Sequence, residues 1–170
     1  LNVGNYGSRS ASGYINHAFD DEWAGRFSFQ TRDRDGYSED VATGRDLEDL
    51  NSVQARAQLL YEDGENDFTA RLSVEYTKDS MNGVNRHSVK QPGTDPFALG
   101  QWSNVHNALG LDERQSAVGT LPFFEGDLLP NVERESFGVI LTLEKELEFA
   151  TLTSITGYRS GEGYNRYSQT

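Results

Sequence analysis

The sequence contains no cysteine, one methionine and four prolines among its 170 residues. Without cysteine the chain has no disulfide framework and no thiolate chemistry. Long apolar runs are also missing: only 35% of the residues are hydrophobic, and no stretch approaches the ~18 to 20 apolar residues that a membrane-spanning helix needs. These absences exclude a helical membrane protein. They leave a transmembrane β-barrel open, because only every second residue of such a strand is apolar.

Basic residues are in short supply. Lys and Arg number 15 against 27 Asp and Glu, the net charge is −12, and the basic residues are scattered singly rather than gathered into a patch. Because phosphates would repel such a chain, we predict that nucleic acid is not a partner. The first residues do not form a charged segment followed by an apolar one, so we do not expect them to be a secretory signal.

The most regular feature of the sequence is alternation. Two runs between Val53 and Thr77, separated by the polar residues 63–67, have an apolar side chain at every second position. Successive side chains of a strand point to opposite faces, so the pattern predicts two antiparallel strands with one apolar and one polar face. Each is about ten residues long, close to the ~9 to 11 that cross a bilayer. Further strands are predicted at residues 1–3, 10–19, 23–32, 136–144 and 148–158, the last with no clear apolar face.

The predicted connections alternate between short and long. Short turns are expected at residues 20–22, 63–67 and 145–147, and long polar connections at 33–52 and 80–133. In an antiparallel sheet the short turns then lie at one end and the long connections at the other, with residues 4–8 as a short exception at the long-loop end. Outer-membrane barrels have this asymmetry, and aromatic residues near both strand ends would form their interfacial girdles.

Three interpretations of the apolar face follow from the residues. The first is a transmembrane barrel wall with the apolar rows toward lipid. The second is a small complete outer-membrane barrel of about eight strands with a structural or adhesive role. The third is a secreted, soluble β-sandwich that binds carbohydrate, in which the apolar faces of two sheets meet in a dry core.

A family resemblance favours the first interpretation. It is carried by six segments in succession, residues 4–9, 12–16, 27–37, 42–47, 52–61 and 150–159. Together they resemble the first barrel strands of TonB-dependent outer-membrane receptors, just after the plug domain. The plug, the TonB box and the later strands have no counterpart here, and residues 80–133 match no known part of the family. We therefore expect the chain to be a piece of a larger protein.

The resemblance implies a fold, a location and a function. The fold is all-β, an antiparallel up-and-down transmembrane barrel of which residues 1–170 hold about 7 to 8 strands of a probable ~22. The location is the outer membrane. The implied function is to bind and import a scarce nutrient, such as a ferric siderophore or another metal chelate. The implied partners are the plug domain of the same chain, the TonB complex and outer-membrane lipid.

Two groups of candidate site residues can be named. Contacts to an anionic chelate are predicted in the long connection, because Arg, His and aromatic groups suit such ligands, although exposed loop histidines usually bind nothing: Arg86, His87, Trp102 and His106. A second row is predicted to face the barrel lumen and the plug, because an Arg at mid-bilayer on the lipid side would cost ~2 to 4 kcal/mol: Arg26, Arg32, Arg56, Arg71 and Glu75.

Catalytic and metal chemistry find no support in the sequence. The segment from Asp33 to Asp40 faintly matches a calcium loop, but its third ligand position and a correctly spaced Glu are missing, and Arg34 adds an opposing charge. No Ser, His and carboxylate have hydrolase spacing, and no Gly-rich phosphate loop follows a strand. His17 is predicted to be structural. We predict a protein that is not an enzyme, with no cofactor and no metal site.

Overall fold

The computed structural model describes residues 1–41, 44–83, 115–116 and 131–166, and within them every regular element is a β-strand. Polar and apolar residues alternate along the long strands, as a half-exposed sheet requires. The strands are β1 (Asn2–Val3), β2 (Arg9–Ala18), β3 (Trp23–Arg34), β4 (Ser38–Asp40), β5 (Arg45–Leu47), β6 (Leu50–Asp63), β7 (Phe68–Met81), β8 (Gln115–Ser116), β9 (Asn131–Leu147) and β10 (Ala150–Arg166).

Seven strands form one antiparallel sheet in the order β1-β2-β3-β6-β7-β9-β10. Each long strand pairs with the next long strand along the chain, so the sheet is an up-and-down meander, and the predicted all-β antiparallel class is confirmed. β1 and β10 form its two edges. A second sheet of three short strands has the order β5-β4-β8, in which β4 pairs antiparallel with β5 and parallel with β8.

The connections of the large sheet separate by length. β2–β3, β6–β7 and β9–β10 are joined by short turns at one end, which we name the turn end. β3–β6 and β7–β9 are joined by long connections at the opposite end, which we name the loop end. The residues before β2 also lie at the loop end, where the Asp35 N–H donates a 2.9 Å hydrogen bond to the Tyr6 carbonyl.

Two boundaries predicted for the last hairpin are wrong, that of its turn and that of the end of its second strand. Residues 145–147 belong to β9, and the turn is Glu148 with Phe149, because Leu147 pairs directly with Ala150. The last strand, predicted to end at residue 158, continues as β10 to Arg166 opposite the start of β9. Residues 161–166 are Gly-rich and polar, but pairing along the full length of β9 keeps them extended.

The long connections are shorter than predicted. β3 continues to Arg34 and β6 begins at Leu50, and the described residues between them include the two short strands β4 and β5. β7 continues to Met81 and β9 begins at Asn131, so the second connection covers residues 82–130 instead of 80–133. Polar residues at these strand ends concealed their extended conformation, which the pairing of Met81 with Val132 maintains.

Short acidic turns close two of the hairpins. The Asp20 Oδ1 accepts hydrogen bonds from the N–H groups of Glu22 and Trp23, at 2.9 and 2.7 Å. The Asp63 Oδ1 does the same for Glu65 and Asn66, at 3.1 and 3.0 Å, and its Oδ2 accepts a bond from the Asn66 side chain. An Asp side chain that mimics a backbone turn is a common device at such positions. These bonds, first of all that of the Asn66 side chain, lower the pKa of the Asp63 carboxyl in this turn.

The pairing register determines which side chains share a face. One row of directly paired residues runs across five strands and is apolar: Phe27, Ala57, Val74, Val139 and Tyr158. The register therefore also assigns the faces of β10, which the sequence left open. Leu152, Thr156 and Tyr158 lie on the apolar face, and Ile155 lies on the polar face opposite Thr142.

The large sheet has little core of its own. Among the described residues, the buried hydrophobic side chains are Leu47 and Val132, and both lie at the loop end. On the apolar face, by contrast, Ile15 is 70% exposed and Phe27 is 49% exposed. Within the described part of the chain the sheet is a single layer, and no second sheet packs against its apolar face.

Candidate functional site: the two faces and the loop end

An uncharged apolar surface crosses one face of the large sheet. We name it the apolar band and define it by the alternate residues of five strands, from Trp23 to Phe29 on β3, Ala55 to Tyr61 on β6, Phe68 to Tyr76 on β7, Phe137 to Leu143 on β9 and Leu152 to Ser160 on β10. Eight residues of a strand cover about 27 Å, which is comparable with the ~25 Å apolar band of a transmembrane barrel.

Charged residues on the same face mark the limits of the band. Toward the loop end Lys78 pairs with Glu135. Toward the turn end Phe68 pairs with Asp63 on one side and with Lys145 on the other. Between these limits the band carries no Asp, Glu, Lys or Arg. The charges within the same span of strand are confined to the opposite face.

The band is exposed. Phe29, Leu72 and Leu141 are 42%, 38% and 37% exposed, although each has neighbours on both adjacent strands. Monomeric soluble proteins rarely leave a contiguous apolar surface of more than a few hundred Å² uncovered. The described residues therefore expose an apolar surface of a kind that is uncommon on soluble monomers.

Aromatic side chains concentrate at the turn end of the band. The ring centroids of Trp23 and Tyr61 are 4.8 Å apart, and those of Tyr61 and Phe68 are 6.4 Å apart. Phe19 lies against Gly25, where a Cβ would approach its ring to 3.0 Å. Phe19 also contacts His17 edge-on at 5.0 Å. Trp and Tyr favour membrane interfaces because one part of the ring is apolar and another is polar.

The opposite, polar face carries all five residues of the predicted lumen row. The register places Arg26 opposite Gln58, Arg32 opposite Ser52, Arg56 opposite Glu75, and Arg71 opposite Leu60, all alternating with band residues. The structure thus gathers these five residues on a single face. That this face looks into a lumen or onto a plug stays a prediction.

Glu75 is the centre of an ion-pair row on the polar face. Its Oε1 lies 3.1 Å from the Arg56 Nε, and its Oε2 lies 3.5 Å from the Arg159 Nη2. Gly138 lies between Glu75 and Arg159 in the row, and the absence of a side chain there lets the Arg159 guanidinium reach across β9. Arg159 was not identified from the sequence, because the facing of β10 was ambiguous.

Two depressions in the polar face lie beside the other arginines. One of about 350 Å³ at the turn end is lined by Arg26, Arg71 and Gln58, and Arg26 also stacks over the Tyr14 ring at 4.6 Å. Another of about 200 Å³ at the loop end lies between Arg32 and Arg134. The carboxylate of Asp79 at this second depression accepts a 2.6 Å hydrogen bond from the Ser52 hydroxyl.

The loop end contains a polar network that joins the two long connections. The Asn82 N–H donates to the Asp49 carboxylate at 2.5 Å, its side-chain amide donates to the Asp46 carbonyl at 2.9 Å, and its amide oxygen accepts a bond from Arg45. Sequence reasoning missed this network, because Asn82 carries no recognisable motif.

Glu48 is fixed by three hydrogen bonds in the same network. Its φ is 62°, a left-handed conformation that is uncommon for Glu. Its N–H donates to the Gly83 carbonyl at 2.9 Å, its carbonyl accepts a 2.5 Å bond from Arg34, and its carboxylate accepts a 2.6 Å bond from the Ser38 hydroxyl. These bonds hold a backbone conformation that would otherwise be unfavourable.

The predicted chelate contacts lie outside the described residues. This applies to Arg86, His87, Trp102 and His106, so their grouping stays a prediction. Within the described ranges, no group of three or more His, Asp or Glu side chains could hold a metal ion. The segment from Asp33 to Asp40, considered above as a calcium loop, instead contributes the end of β3 and the whole of β4.

Comparisons with known proteins find no relative of this chain. No helix in the described part of the chain is long and apolar enough to cross a membrane. No protein-family model matches the chain, and neither a curated protein nor a solved structure is detectably similar to it.

Proposed function

We propose that the chain is a wall segment of an outer-membrane β-barrel of the TonB-dependent receptor type, which binds and imports a scarce nutrient such as a ferric siderophore. The observation that carries the proposal is the apolar band: it is free of charge, exposed, and bounded by charged residues at both ends. Lipid is the environment in which such a band is stable, because burying apolar surface contributes roughly 25 cal/mol per Å².

The polar face supports the same assignment. An Arg costs ~2 to 4 kcal/mol on the lipid side at mid-bilayer, whereas a lumen accepts it. Arg26, Arg56 and Arg71 lie at the depth of the band, yet all are on the other face. A plug domain would supply hydrogen-bond partners for these arginines. If the apolar band faces lipid, these arginines must therefore lie on the opposite face.

The connections and edges support a segment of a larger barrel over the rival interpretations. The elaborate connections share one end, as extracellular loops do. In a small closed barrel the first and last strands pair with each other. Here β1 and β10 are the two edges of the sheet and do not pair. The single-layer sheet of the described residues lacks the facing sheet that a soluble sandwich needs.

Uptake by cells tests the transport function. The complete protein that contains this segment is expressed in a Gram-negative host lacking its own siderophore receptors, with and without TonB. We expect cells to accumulate a labelled ferric siderophore, haem or cobalamin only when TonB is present. Surface binding without TonB-dependent uptake of any ligand in this panel would contradict active transport and would leave the adhesive-barrel interpretation.

A further inference from the structure

The depression at the turn end of the polar face owes its shape to small side chains. We name it the arginine basin. Ala18 and Ala24 lie next to Leu60 in one pairing row, which continues to Arg71 on β7, and Arg26 lies in the following row. Because the two alanines leave space above the sheet, a depression of about 350 Å³ opens beside both arginines. This volume is within the ~300 to 1,000 Å³ that is typical of small-ligand sites.

Positive charge is in excess around the basin. The three rows of the large sheet that include residues 56, 58 and 60 hold four arginines on the polar face but a single carboxylate, Glu75. Glu75 already pairs with two of the four, Arg56 and Arg159. The other two, Arg26 and Arg71, have no ion-pair partner in the described part of the chain. The basin is therefore electropositive in a chain whose net charge is −12, and its concave shape concentrates that potential.

Carboxylates in the neighbouring row do not neutralise the basin. Glu62 and Glu144 both pair with Thr69, one row closer to the turn end than Arg71. Among the described contacts, neither forms an ion pair with Arg71. No Asp or Glu is among the described residues that line the basin. The two guanidinium groups are therefore available to an acidic group from outside the sheet.

Tyr14 and Ser73 hold the hydrogen-bond donors of the basin in place. The guanidinium carbon of Arg26 lies 4.6 Å from the centroid of the Tyr14 ring. This stacking uses the face of the planar group and leaves the N–H groups at its edge free to donate. The Gln58 side-chain amide donates a 3.1 Å hydrogen bond to the buried Ser73 hydroxyl. Its second N–H is a further donor in the row of Arg26.

We propose that the arginine basin is a binding site for a carboxylate group, held between the guanidinium groups of Arg26 and Arg71. Guanidinium groups bind carboxylates through paired N–H···O bonds, and the apolar side chain of Leu60 in the floor lowers the local dielectric constant, which strengthens such bonds. The carboxylate belongs either to a free solute or to an Asp or Glu side chain of another part of the complete protein, such as a plug domain. The site depends on the polar face alone and does not depend on the transport function.

Arginine modification tests the site. The complete protein that contains this segment is treated with phenylglyoxal, in succinate or in chloride of equal ionic strength, and modification of Arg26 and Arg71 is followed by mass spectrometry. With succinate at about ten times its dissociation constant, a free-solute site predicts modification about tenfold slower than in chloride, since only the unbound fraction reacts. A carboxylate side chain already in the basin predicts slow modification in both solutions. Modification in both solutions as fast as in the denatured protein would overturn the proposal.

Variants test the free-solute result by calorimetric titration with succinate. Arg71→Gln should weaken binding about 10- to 100-fold, because it removes hydrogen bonds to a charged group. Ala24→Leu fills the basin without changing its charge and should also weaken binding at least about tenfold. The matched control is Arg159→Gln, which removes the same charge from the same face outside the basin and should change the affinity less than about threefold. Equal losses for the two arginine variants would overturn the site, since succinate would then respond only to the net charge of the face.

Zero-length cross-linking tests the alternative source. In Arg71→Lys a carbodiimide should join the new amine to the carboxylate that occupies the basin, and peptide mapping should identify an Asp or Glu outside the described strands. Arg56→Lys is the positive control, because the Glu75 carboxylate lies 3.1 Å from the Arg56 Nε. If modification is slow in both solutions, a product of the control without any product of Arg71→Lys would overturn the proposal. Coupling of Arg71→Lys to Glu62 or Glu144 would overturn it as well.

Discussion

The substitution Ala57→Arg places a charge at the centre of the apolar band. Ala57 lies in the central row, opposite Phe27 on β3 and Val74 on β7. If this row faces the bilayer midplane, the new guanidinium costs ~2 to 4 kcal/mol, equivalent to roughly a 30- to 1,000-fold loss in the folding equilibrium constant. The native Arg56, one residue away on the other face, shows that the strand itself accepts Arg at this depth.

Two matched variants separate charge from size and from position. Gln54→Arg puts the same side chain on the polar face of β6, in a row with Gln30 and Thr77 and without a charged neighbour in that row. Ala57→Leu enlarges the band position without adding charge. We expect both to change the free energy of folding by less than about 1 kcal/mol, since neither exposes a charge to lipid.

The assay is reversible folding into lipid vesicles, followed by denaturant titration. The three variants and the parent chain are compared under one set of conditions, with stability read from the transition midpoint and slope. A cost for Ala57→Arg no larger than that for Gln54→Arg would refute the lipid-facing assignment. A stable, monodisperse monomer of the parent chain in detergent-free buffer would also contradict it, because the exposed band and open edges should then aggregate.

Three further predictions address the rest of the structure. Gly36→Ala should destabilise the loop end by about 1 to 3 kcal/mol through overlap with the Leu47 carbonyl, whereas Gly64→Ala, where a Cβ meets no atom within 4 Å, should be nearly neutral; thermal unfolding with a probe at the loop end distinguishes them. A double-mutant cycle of Glu75→Gln with Arg56→Gln should give a coupling of at most about 1 kcal/mol that weakens with salt, because the Arg56 side chain is 47% exposed; a salt-independent coupling would contradict a solvated pair. Asn66→Ala should raise the pKa of Asp63, because it removes the side-chain hydrogen bond that lowers this pKa most. The ionised carboxylate stabilises the fold at pH values above its unfolded pKa, and this contribution is lost as the pH falls through the folded pKa, so in the variant it should be lost at a higher pH than in the parent. A carboxyl titration by NMR that shows no shift would refute the role of Asn66.

Alternation made the two strands β6 and β7 predictable from the sequence. Val53 to Tyr61 and Phe68 to Tyr76 each separate apolar from polar residues, with Leu60 as the exception on the polar face, and a one-residue slip of either strand would reverse its faces. The faces of β10 were not predictable, because each side carries both Thr and apolar residues, Leu152 and Tyr158 on one side and Ile155 on the other. Only its pairing with β9 decides the question, through contacts such as Tyr158 opposite Val139. The same ambiguity concealed Arg159 as a partner of Glu75.

The loop-end strands could not be predicted for a different reason. β4, β5 and β8 have two or three residues each, too few for any periodicity to be detected. Their pairing depends on residues that are distant in the sequence, as with Glu39 and Gln115. Around β4 and β5, the polar composition that suggested a loop instead supplies hydrogen bonds, such as those of Ser38 with Glu48 and of Arg45 with Asn82. The predicted chelate contacts, in turn, fall outside the described residues.

A nitroxide scan of β6 from Val53 to Tyr61 tests the central claim most directly. Each residue is replaced in turn by a spin-labelled Cys in the vesicle-inserted protein, and collisions with oxygen, which partitions into lipid, are compared with collisions with a water-soluble nickel chelate. The lipid-facing band predicts a period of two, with high oxygen accessibility at residues 55, 57 and 59, and low accessibility at 54, 56, 58 and 60. The opposite phase, or no alternation at all, would contradict it.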